Sequence, residues 1–257
     1  MRSSAQSPRW AWSYSFAGFA VRAGVASAAQ FDGHLDALCG QLLVLGHLDH
    51  DGALHPLAEQ LTAVLVHAGD AAGGVVCVGR TAAGAVELIR NFEPDCIIST
   101  GVAGGIDSCL KVMDVVASRQ IVYHDVWCGE GNAYGQIQGL PTFFDGNETL
   151  YDCALSLDTE TAIHGGLICS GDKFITDRSE LETIKGNFPE GLAVDMESAA
   201  IAQVCYLYKV PFISFRIISD TPGADKHFEQ YQNFWGEMAD RSFHVTETFL
   251  KALPNKL

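Results

Sequence analysis

The sequence lacks the features that would mark a nucleic-acid-binding, membrane-spanning or zinc-binding protein. Acidic residues outnumber basic ones 31 to 16, and the basic residues form no cluster, so a groove that neutralises phosphates is not expected. No apolar stretch reaches the roughly 18 to 20 residues that a membrane-spanning helix needs. No Cys-x-x-Cys pair occurs either. We therefore expect neither nucleic acid nor a membrane as a partner.

The cysteines are scattered along the chain, and several lie inside apolar runs. This pattern favours reduced, buried thiols in a cytoplasmic protein over a disulfide framework. The N-terminus offers an alternative, because Arg2, Arg9, an apolar run and the small residues 26–28 loosely resemble a signal peptide. Arg22 interrupts that apolar run, so the cytoplasm is the expected location. The cysteines are Cys39, Cys77, Cys96, Cys109, Cys128, Cys153, Cys169 and Cys205.

The first third of the chain also lacks three ordinary residue types. No isoleucine precedes Ile89, no asparagine precedes Asn91 and no lysine precedes Lys111. The missing types are those with A/T-rich codons. Strong divergence of this segment, or translation of part of it from a shifted reading frame, would each explain the pattern. Residues 1–20 are in addition a candidate disordered extension.

Histidines are concentrated in the same region, which raises the question of a metal site. Their spacing matches no helical pair with a carboxylate partner, as in His-Glu-x-x-His. We therefore expect surface histidines and no bound metal. They are His34, His47, His50, His55 and His67.

From residue 83 onward, helical and strand patterns alternate. Residues 83–92 have apolar side chains at helical spacing and end before Pro94. A second helix is predicted after residue 197, with Ala200, Val204 and Leu207 on one face. Apolar or β-branched runs predict strands at 96–100, 115–123, 167–170 and 210–218. The alternation predicts an α/β fold whose sheet is covered by helices on both faces.

Glycines and polar residues collect at the ends of these predicted strands. Residues 101–105 form a glycine loop directly after the first strand, where α/β proteins commonly bind ligands. A tight turn with no ligand is an equally common use of such a loop. Taken alone, the pattern therefore places a candidate site without identifying its ligand.

Seven short motifs in these positions carry a more specific signal. In order and spacing they resemble the 5'-methylthioadenosine/S-adenosylhomocysteine nucleosidases over roughly the last two thirds of the chain. The motifs are Thr-Gly-Val-Ala-Gly-Gly at 100–105, Tyr-His-Asp at 123–125, Tyr-Gly-Gln at 134–136, Ser-Gly-Asp with Phe-Ile at 170–175, Asn-Phe-Pro at 187–189, Val-Asp-Met-Glu at 194–197 and Arg-Ile-Ile-Ser-Asp at 216–220.

The resemblance implies a three-layer α/β/α sandwich with a mixed central sheet, like other phosphorylases and hydrolases of this fold. Residues 1–257 would form a single domain, in which residues 1–82 match the family poorly. It implies a homodimer without a metal or organic cofactor. The implied activity is hydrolysis of the N-glycosidic bond of methylthioadenosine, S-adenosylhomocysteine or 5'-deoxyadenosine, which releases adenine for methionine salvage.

Two carboxylates would carry the chemistry. Asp220 resembles the family's general acid, which protonates the purine because adenine leaves poorly as an anion. Glu197 resembles the carboxylate that binds the ribose hydroxyls and stabilises the oxocarbenium-like sugar. Without the resemblance, Asp220 is as well explained by capping a turn and Glu197 by complementing a helix dipole.

Other residues would shape the substrate pocket. Phe174 resembles the ring that stacks on adenine and Met196 the floor under the ribose, although both would serve equally as plain core residues. The 5' group would contact the segment around Phe228, Tyr231 and Phe234. The remaining candidates are Val102, Ala103 and Gly104 on the sugar side, Cys128 on a loop, the backbone of Ile175 at the base, and Asp195, Arg216 and Ser219 beside the carboxylates.

The N-terminal part departs from the family pattern. The family begins with a strand leading to an Ala-Met-x-x-Glu segment whose glutamate positions the attacking water, whereas here Gln30 is the nearest match. An amide cannot take a proton from water. The family's Gly-Ile-Gly-Lys segment is likewise reduced to residues 78–80. Two alternatives therefore stand beside the hydrolase: a homologue that binds adenosine-like ligands without cleaving them, and a purine nucleoside phosphorylase.

Overall fold

A computed structural model describes the chain almost continuously from residue 78, together with short strands before it. The described ranges are 25–27, 41–45, 47–48, 54–55, 63–68, 78–222, 229–230, 234, 239–254 and 257. For the strands before residue 78 only the backbone is described. Gln30, Phe228 and Tyr231 lie outside these ranges, as do the side chains of the five clustered histidines.

Strands and helices alternate along the described residues. The helices are α1 (Val78–Phe92), α2 (Glu148–Leu155), α3 (Arg178–Asn187), α4 (Ser198–Tyr208) and α5 (Ala239–Ala252). The strands are β1 (Val25–Ser27), β2 (Gln41–Leu45), β3 (His47–Leu48), β4 (Leu54–His55), β5 (Ala63–Ala68), β6 (Cys96–Gly105), β7 (Val115–Tyr123), β8 (Phe144–Asp145), β9 (Ile163–Ser170), β10 (Gly191–Asp195) and β11 (Phe212–Asp220).

The sheet is mixed and is organised around β6. This strand pairs in parallel with β5 and β11 and antiparallel with β10. β9 continues from β10 in parallel, β7 follows β9, and β7 returns to β11 in antiparallel pairing. Five strands therefore close into a ring, β6-β10-β9-β7-β11, while β5, β2 and β1 extend the sheet from β6. The mixed sheet agrees with the sequence prediction, whereas its closure was not predicted.

Helices cover the sheet on both faces, which confirms the three-layer arrangement. On one face, side chains of α1 and α4 such as Leu88 and Ile201 form an apolar cluster with Ile97 of β6. On the other face, Leu150 of α2 and Phe249 of α5 pack against the sheet. Successive strand residues point to opposite faces, so β6 contributes to both clusters.

The glycine-rich residues 101–105 are the second half of β6, not a loop as predicted from the sequence. Each of these residues is paired with a neighbouring strand, because β11 runs beside residues 97–104 and β10 beside residues 104 and 105. The missing side chains of these glycines allow neighbouring strands and loops to approach β6 closely.

The buried face of α4 is shorter than the sequence predicted. Ala200 and Val204 are buried, but Leu207 is 56% exposed. Its neighbours Tyr206 and Tyr208 are exposed as well, because the helix continues past the part that packs on the sheet and ends at Lys209 in a left-handed conformation. The helical period is correct, while the length of its buried part depends on the neighbouring elements.

The cysteines with described side chains are all free thiols, as expected, but they are not all buried. Cys96, Cys169 and Cys205 are buried, whereas Cys109 and Cys128 are exposed on loops. Burial raises the pKa of Cys96 and of Cys169 to about 12, so these two thiols are unreactive. No helix in the described ranges is long and apolar enough to cross a membrane.

Candidate active site

The ends of five strands meet at one point of the closed sheet. At the end of β6, Gly104 is in register with Val194 of β10 on one side and with Asp220 of β11 on the other. At the end of β9, Ser170 is in register with Asp195 and also with Tyr123 of β7. The predicted catalytic and sugar-side residues therefore lie together, although they come from distant parts of the sequence.

Gly104 is required by close packing at this point. A Cβ atom on Gly104 would lie 2.5 Å from Cγ of Pro222 and 3.3 Å from a methyl carbon of Val194. Pro222 directly follows the Asp220-Thr221 segment, so the glycine lets this segment sit against β6. Ala103 is buried and Val102 is half-buried beside it.

A buried arginine links two acidic residues beneath these strand ends. Arg216 is fully buried, and its Nε lies 2.7 Å from Oδ2 of Asp195. Its Nη2 lies 3.5 Å from Oε2 of Glu197. Asp195 in turn accepts a hydrogen bond from the Ser198 backbone N–H at 3.3 Å, which helps to start α4. The arginine thus holds the loop between β10 and α4 that carries both carboxylates.

Several oxygen atoms complete the surroundings of the guanidinium. Nη2 of Arg216 donates to the Ser99 hydroxyl at 3.0 Å, and Nη1 donates to the Thr100 carbonyl at 3.3 Å. The hydroxyls of Ser198 and Ser214 also contact it, at 3.2 Å and 3.1 Å from Nε. These serines were missed in the sequence. The available signal was a serine within an otherwise apolar strand, at positions 99 and 214.

Burial dominates the ionisation of Glu197. Its side chain is 13% exposed, and this desolvation raises the pKa of Glu197 to about 7. Arg216 opposes the shift and Asp195 adds to it. Because one guanidinium faces two carboxylates, Glu197 is only partly neutralised and can change its charge near neutral pH.

Asp220 ends β11 next to Ser219, and both residues are buried. The Ser219 hydroxyl donates to Oδ1 of Asp220 at 2.7 Å and lies 3.4 Å from the Ala103 carbonyl oxygen. The following residue, Thr221, donates its backbone N–H to the Gln230 side chain at 3.1 Å. The carboxyl group is therefore held at the strand end, beside the sugar-side residues of β6.

The loop between β9 and α3 presents one apolar ring to the surface. Phe174 is 41% exposed, whereas the next residue, Ile175, is buried in an apolar cluster with Ile184 of α3 and Phe188. This arrangement argues against Phe174 as a plain core residue. Met196 is half-buried at the start of the loop between β10 and α4.

The Tyr-His-Asp motif supports the first residues of the loop between β9 and α3, a role that was not recognised in the sequence. Oδ2 of Asp125 accepts the backbone N–H of Asp172 at 2.7 Å. A Cβ atom on Gly171 would lie 2.4 Å from Nε2 of His124, so the imidazole packs directly on the glycine. Burial lowers the pKa of His124, which keeps the ring neutral.

Cys128 is exposed on the loop that follows β7. Aromatic rings organise this loop. The ring of Trp127 stacks on that of Tyr134 with centroids 6.5 Å apart, and the centroids of Tyr134 and Phe188 are 6.1 Å apart. Gly135 has a positive φ of 83°, and its Cβ would lie 2.6 Å from the Tyr123 carbonyl oxygen. The predicted 5'-group residue Phe234 is buried in the apolar cluster on the α2 and α5 face, against which Val102 also packs.

Comparison with protein families gives a match over most of the chain. The model of the phosphorylase superfamily matches residues 50–251. The chain belongs to the phosphorylase superfamily. Within this superfamily, the 5'-methylthioadenosine/S-adenosylhomocysteine nucleosidase of Staphylococcus carnosus is 41% identical over 169 residues, which are 65% of this chain and 74% of the relative.

Solved structures agree with this assignment. A nucleosidase of the same name from S. pneumoniae, bound to the transition-state inhibitor MT-ImmA, aligns with a TM-score of 0.72 at 29% identity, covering 92% of this chain and 94% of that chain. The enzyme from Colwellia psychrerythraea 34H, in complex with adenine, aligns with a TM-score of 0.68 at 30% identity over 84% of each chain. The resemblance seen in the sequence motifs is thereby confirmed.

The superfamily match begins before the motifs that suggested it. It starts at residue 50, whereas those motifs begin near residue 100. It includes β5, which pairs in parallel with β6 from Ala63 to Ala68. Gln30 precedes the match and lies outside the described residues, so its role stays a prediction.

Proposed function

We propose that this chain hydrolyses the N-glycosidic bond of 5'-methylthioadenosine and S-adenosylhomocysteine, and of 5'-deoxyadenosine, releasing adenine. The observation that supports this most directly is a pair of carboxylates beside the end of β6: Asp220, buried at the end of β11, and Glu197, 13% exposed after β10 and 3.5 Å from Nη2 of Arg216. The named relatives act as nucleosidases of this substrate class, and one of them holds adenine.

In the proposed mechanism the two carboxylates act on opposite parts of the substrate. Asp220 protonates the purine, so that adenine leaves as a neutral base. The Ser219 hydroxyl, 2.7 Å from Oδ1, orients the carboxyl group for this transfer. Glu197 accepts hydrogen bonds from the ribose hydroxyls and stabilises the positive charge that grows on the sugar.

Pocket residues position the substrate between these groups. Phe174, partly exposed at the pocket entrance, stacks on adenine, and the Ile175 backbone contacts the edge of the base. Val102, Ala103 and Gly104 line the sugar side, and Met196 lies under the ribose. Cys128 approaches from the loop after β7. These roles rest on the family resemblance together with the positions described above.

Activation of the attacking water decides between a hydrolase and a homologue that binds adenosine-like ligands without cleaving them. If Gln30 occupies the place of the family's glutamate, the loss of a general base would slow hydrolysis by about 10²- to 10⁴-fold. The protein would then act mainly as a binder of adenosine-like ligands. The third possibility, a phosphorylase, requires phosphate as the attacking group and predicts turnover only in its presence.

One assay distinguishes these functions. Purified protein is incubated with methylthioadenosine in buffers with and without phosphate, and adenine release is followed by chromatography. Asp220→Asn tests the general acid, and Asp158→Asn, at an exposed aspartate between α2 and β9, is the matched control. We expect phosphate-independent release that Asp220→Asn abolishes and Asp158→Asn preserves. Ligand-induced thermal stabilisation without adenine release would instead identify a binding protein.

We also propose a homodimer that works in the cytoplasm in methionine salvage. The exposed side chains of Tyr206, Leu207 and Tyr208 on α4 offer an apolar surface of the kind that subunit contacts use. The free thiols fit a reducing compartment. Light scattering of the purified protein tests the dimer, and a monomeric mass at micromolar concentration would contradict it.

A further inference from the structure

Two buried serines, Ser198 and Ser214, lie between the arginine and the acidic residues of the proposed site. Both are fully buried, and their hydroxyl oxygens are 2.6 Å apart. Ser198 begins α4 and Ser214 lies in β11, so the contact joins the helix that follows Glu197 to the strand that carries Arg216.

The hydrogen atoms available to these groups allow one arrangement. An ionised Asp195 can only accept, so the Ser198 hydroxyl donates its single hydrogen to Oδ2 of Asp195. Ser198 then accepts from Nη2 of Arg216 at 3.2 Å, while the single Nε hydrogen is shared between Oδ2 of Asp195 and the hydroxyl oxygens of Ser198 and Ser214. Ser214 donates to Ser198 and accepts from Nε at 3.1 Å. The hydroxyls therefore form a directed chain that ends on Asp195.

This chain prevents the contact that an arginine otherwise prefers. A guanidinium and a carboxylate tend to form two parallel hydrogen bonds, and Asp195 is the nearer acid, at 2.7 Å from Nε compared with 3.5 Å between Nη2 and Glu197. Ser99 and Ser198 supply the acceptors for Nη2, and Ser198 also supplies the second donor for Asp195. Nη2 thus remains turned toward Glu197 and is not drawn onto Asp195.

We propose that Ser198 and Ser214 are positioning residues that hold Arg216 between Asp195 and Glu197, and so keep Glu197 in place for the ribose. The proposal rests on the proposed hydrolase function for its activity readout. Its structural part concerns only the geometry of the buried Ser198, Ser214, Arg216 and Asp195.

Removing the Ser198 hydroxyl should change both the rate and its pH dependence. In Ser198→Ala, the guanidinium pairs with Asp195 through two hydrogen bonds and withdraws from Glu197. We expect kcat/KM to fall about tenfold, the loss typical of one hydrogen bond to a charged group. Two charged groups face Glu197, namely Arg216 on β11 and Asp195 on β10. Withdrawal of the arginine therefore raises the pKa of Glu197 further. The acid limb of the pH profile should move to higher pH by about half a unit or more.

Three further variants separate positioning from simple loss of packing. Ser214→Ala should shift the profile in the same direction by a smaller amount, and Ser214→Thr, which keeps the hydroxyl on a strand, should restore it. Ser118→Ala is the matched control, because Ser118 is equally buried but its hydroxyl accepts the Ser214 backbone N–H at 2.8 Å. It should lower stability without moving the pH profile.

The experiment measures methylthioadenosine hydrolysis from pH 5.5 to 8.5 and, in parallel, the free energy of unfolding in urea over the same range. An upward shift in Ser198→Ala that is absent from Ser118→Ala supports the proposal. Equal profiles in all variants would overturn it, as would a shift of the same size in the control. If the unaltered protein releases no adenine, the proposed function fails, and the pH dependence of unfolding still decides the proposal.

Discussion

Replacing Glu197 by glutamine tests whether burial leaves this carboxylate poised near neutral pH. Burial raises the pKa of Glu197 from 4.5 to about 7. A carboxyl group whose pKa is higher in the folded state stabilises the fold below its unfolded pKa, and this stabilisation is lost as the pH rises through the folded pKa. The relevant window is therefore pH 4.5 to about 7.

The expected change in unfolding free energy follows from the pKa shift of Glu197. Each pKa unit corresponds to about 1.4 kcal/mol, so ionising Glu197 in the folded protein costs about 3 kcal/mol at pH 8 relative to pH 4. Glutamine has nearly the same shape and does not ionise. Compared with the unaltered protein, Glu197→Gln should therefore gain about 3 kcal/mol of unfolding free energy between the two ends of this range. That gain is a large fraction of the roughly 5 to 15 kcal/mol stability of a typical protein.

Urea unfolding followed by fluorescence at pH 5, 6, 7 and 8 measures the difference. Glu190→Gln, at an exposed glutamate, is the matched control and should leave the pH dependence of unfolding as it is in the unaltered protein. A difference between Glu197→Gln and the unaltered protein that is the same at pH 5 and pH 8 would refute the reasoning. It would mean that Arg216 keeps Glu197 ionised throughout this range.

Two further predictions concern the loop that carries Phe174 and the core. In Gly171→Ala the new methyl group would lie 2.4 Å from Nε2 of the buried His124, so the overlap should cost about 1 to 3 kcal/mol of unfolding free energy and displace the loop that carries Phe174, which should raise KM for methylthioadenosine. A KM equal to that of the unaltered protein would contradict this role for the loop. Val204→Ala, at a buried position of α4, should cost about 2 kcal/mol in urea unfolding, whereas Leu207→Ala, at a position 56% exposed, should cost less than about 0.5 kcal/mol. Equal losses for the two would show that the last turn of α4 is covered in solution.

Local sequence patterns predicted the bounds of the buried strands better than the start of the first helix. The strand at 115–123 has the same ends in the structure, because its apolar runs at 115–117 and 121–123 are bounded by Asp114 on one side and by His124 and Asp125 on the other. The last strand was predicted at 210–218 and lies at Phe212–Asp220, a shift of two residues. The first helix begins at Val78, ahead of the predicted residue 83, since glycine and alanine carry little information about a helix start.

The candidate site could be predicted from the sequence only as a set of motifs at strand ends. Asp220 at the end of β11 and the Asp-Met-Glu segment that begins at the last residue of β10 are recognisable as sequence signals. The sequence does not show that β6 pairs with both β10 and β11, which brings Gly104 beside Val194 and Asp220. Strand pairing joins residues far apart in the chain, and no local period encodes it.

The sequence by itself determined the residue types of the site, the alternation of strands and helices, and the family. Only the tertiary structure decided which side chains share the guanidinium of Arg216. Serines at 99, 198 and 214 are unremarkable in sequence, because a short polar residue can face solvent or cap a helix as readily as bind a buried charge. Pairing of β6 with both β10 and β11 brings Arg216 together with Asp195 and Glu197, and the burial of the guanidinium makes the position of each hydroxyl matter.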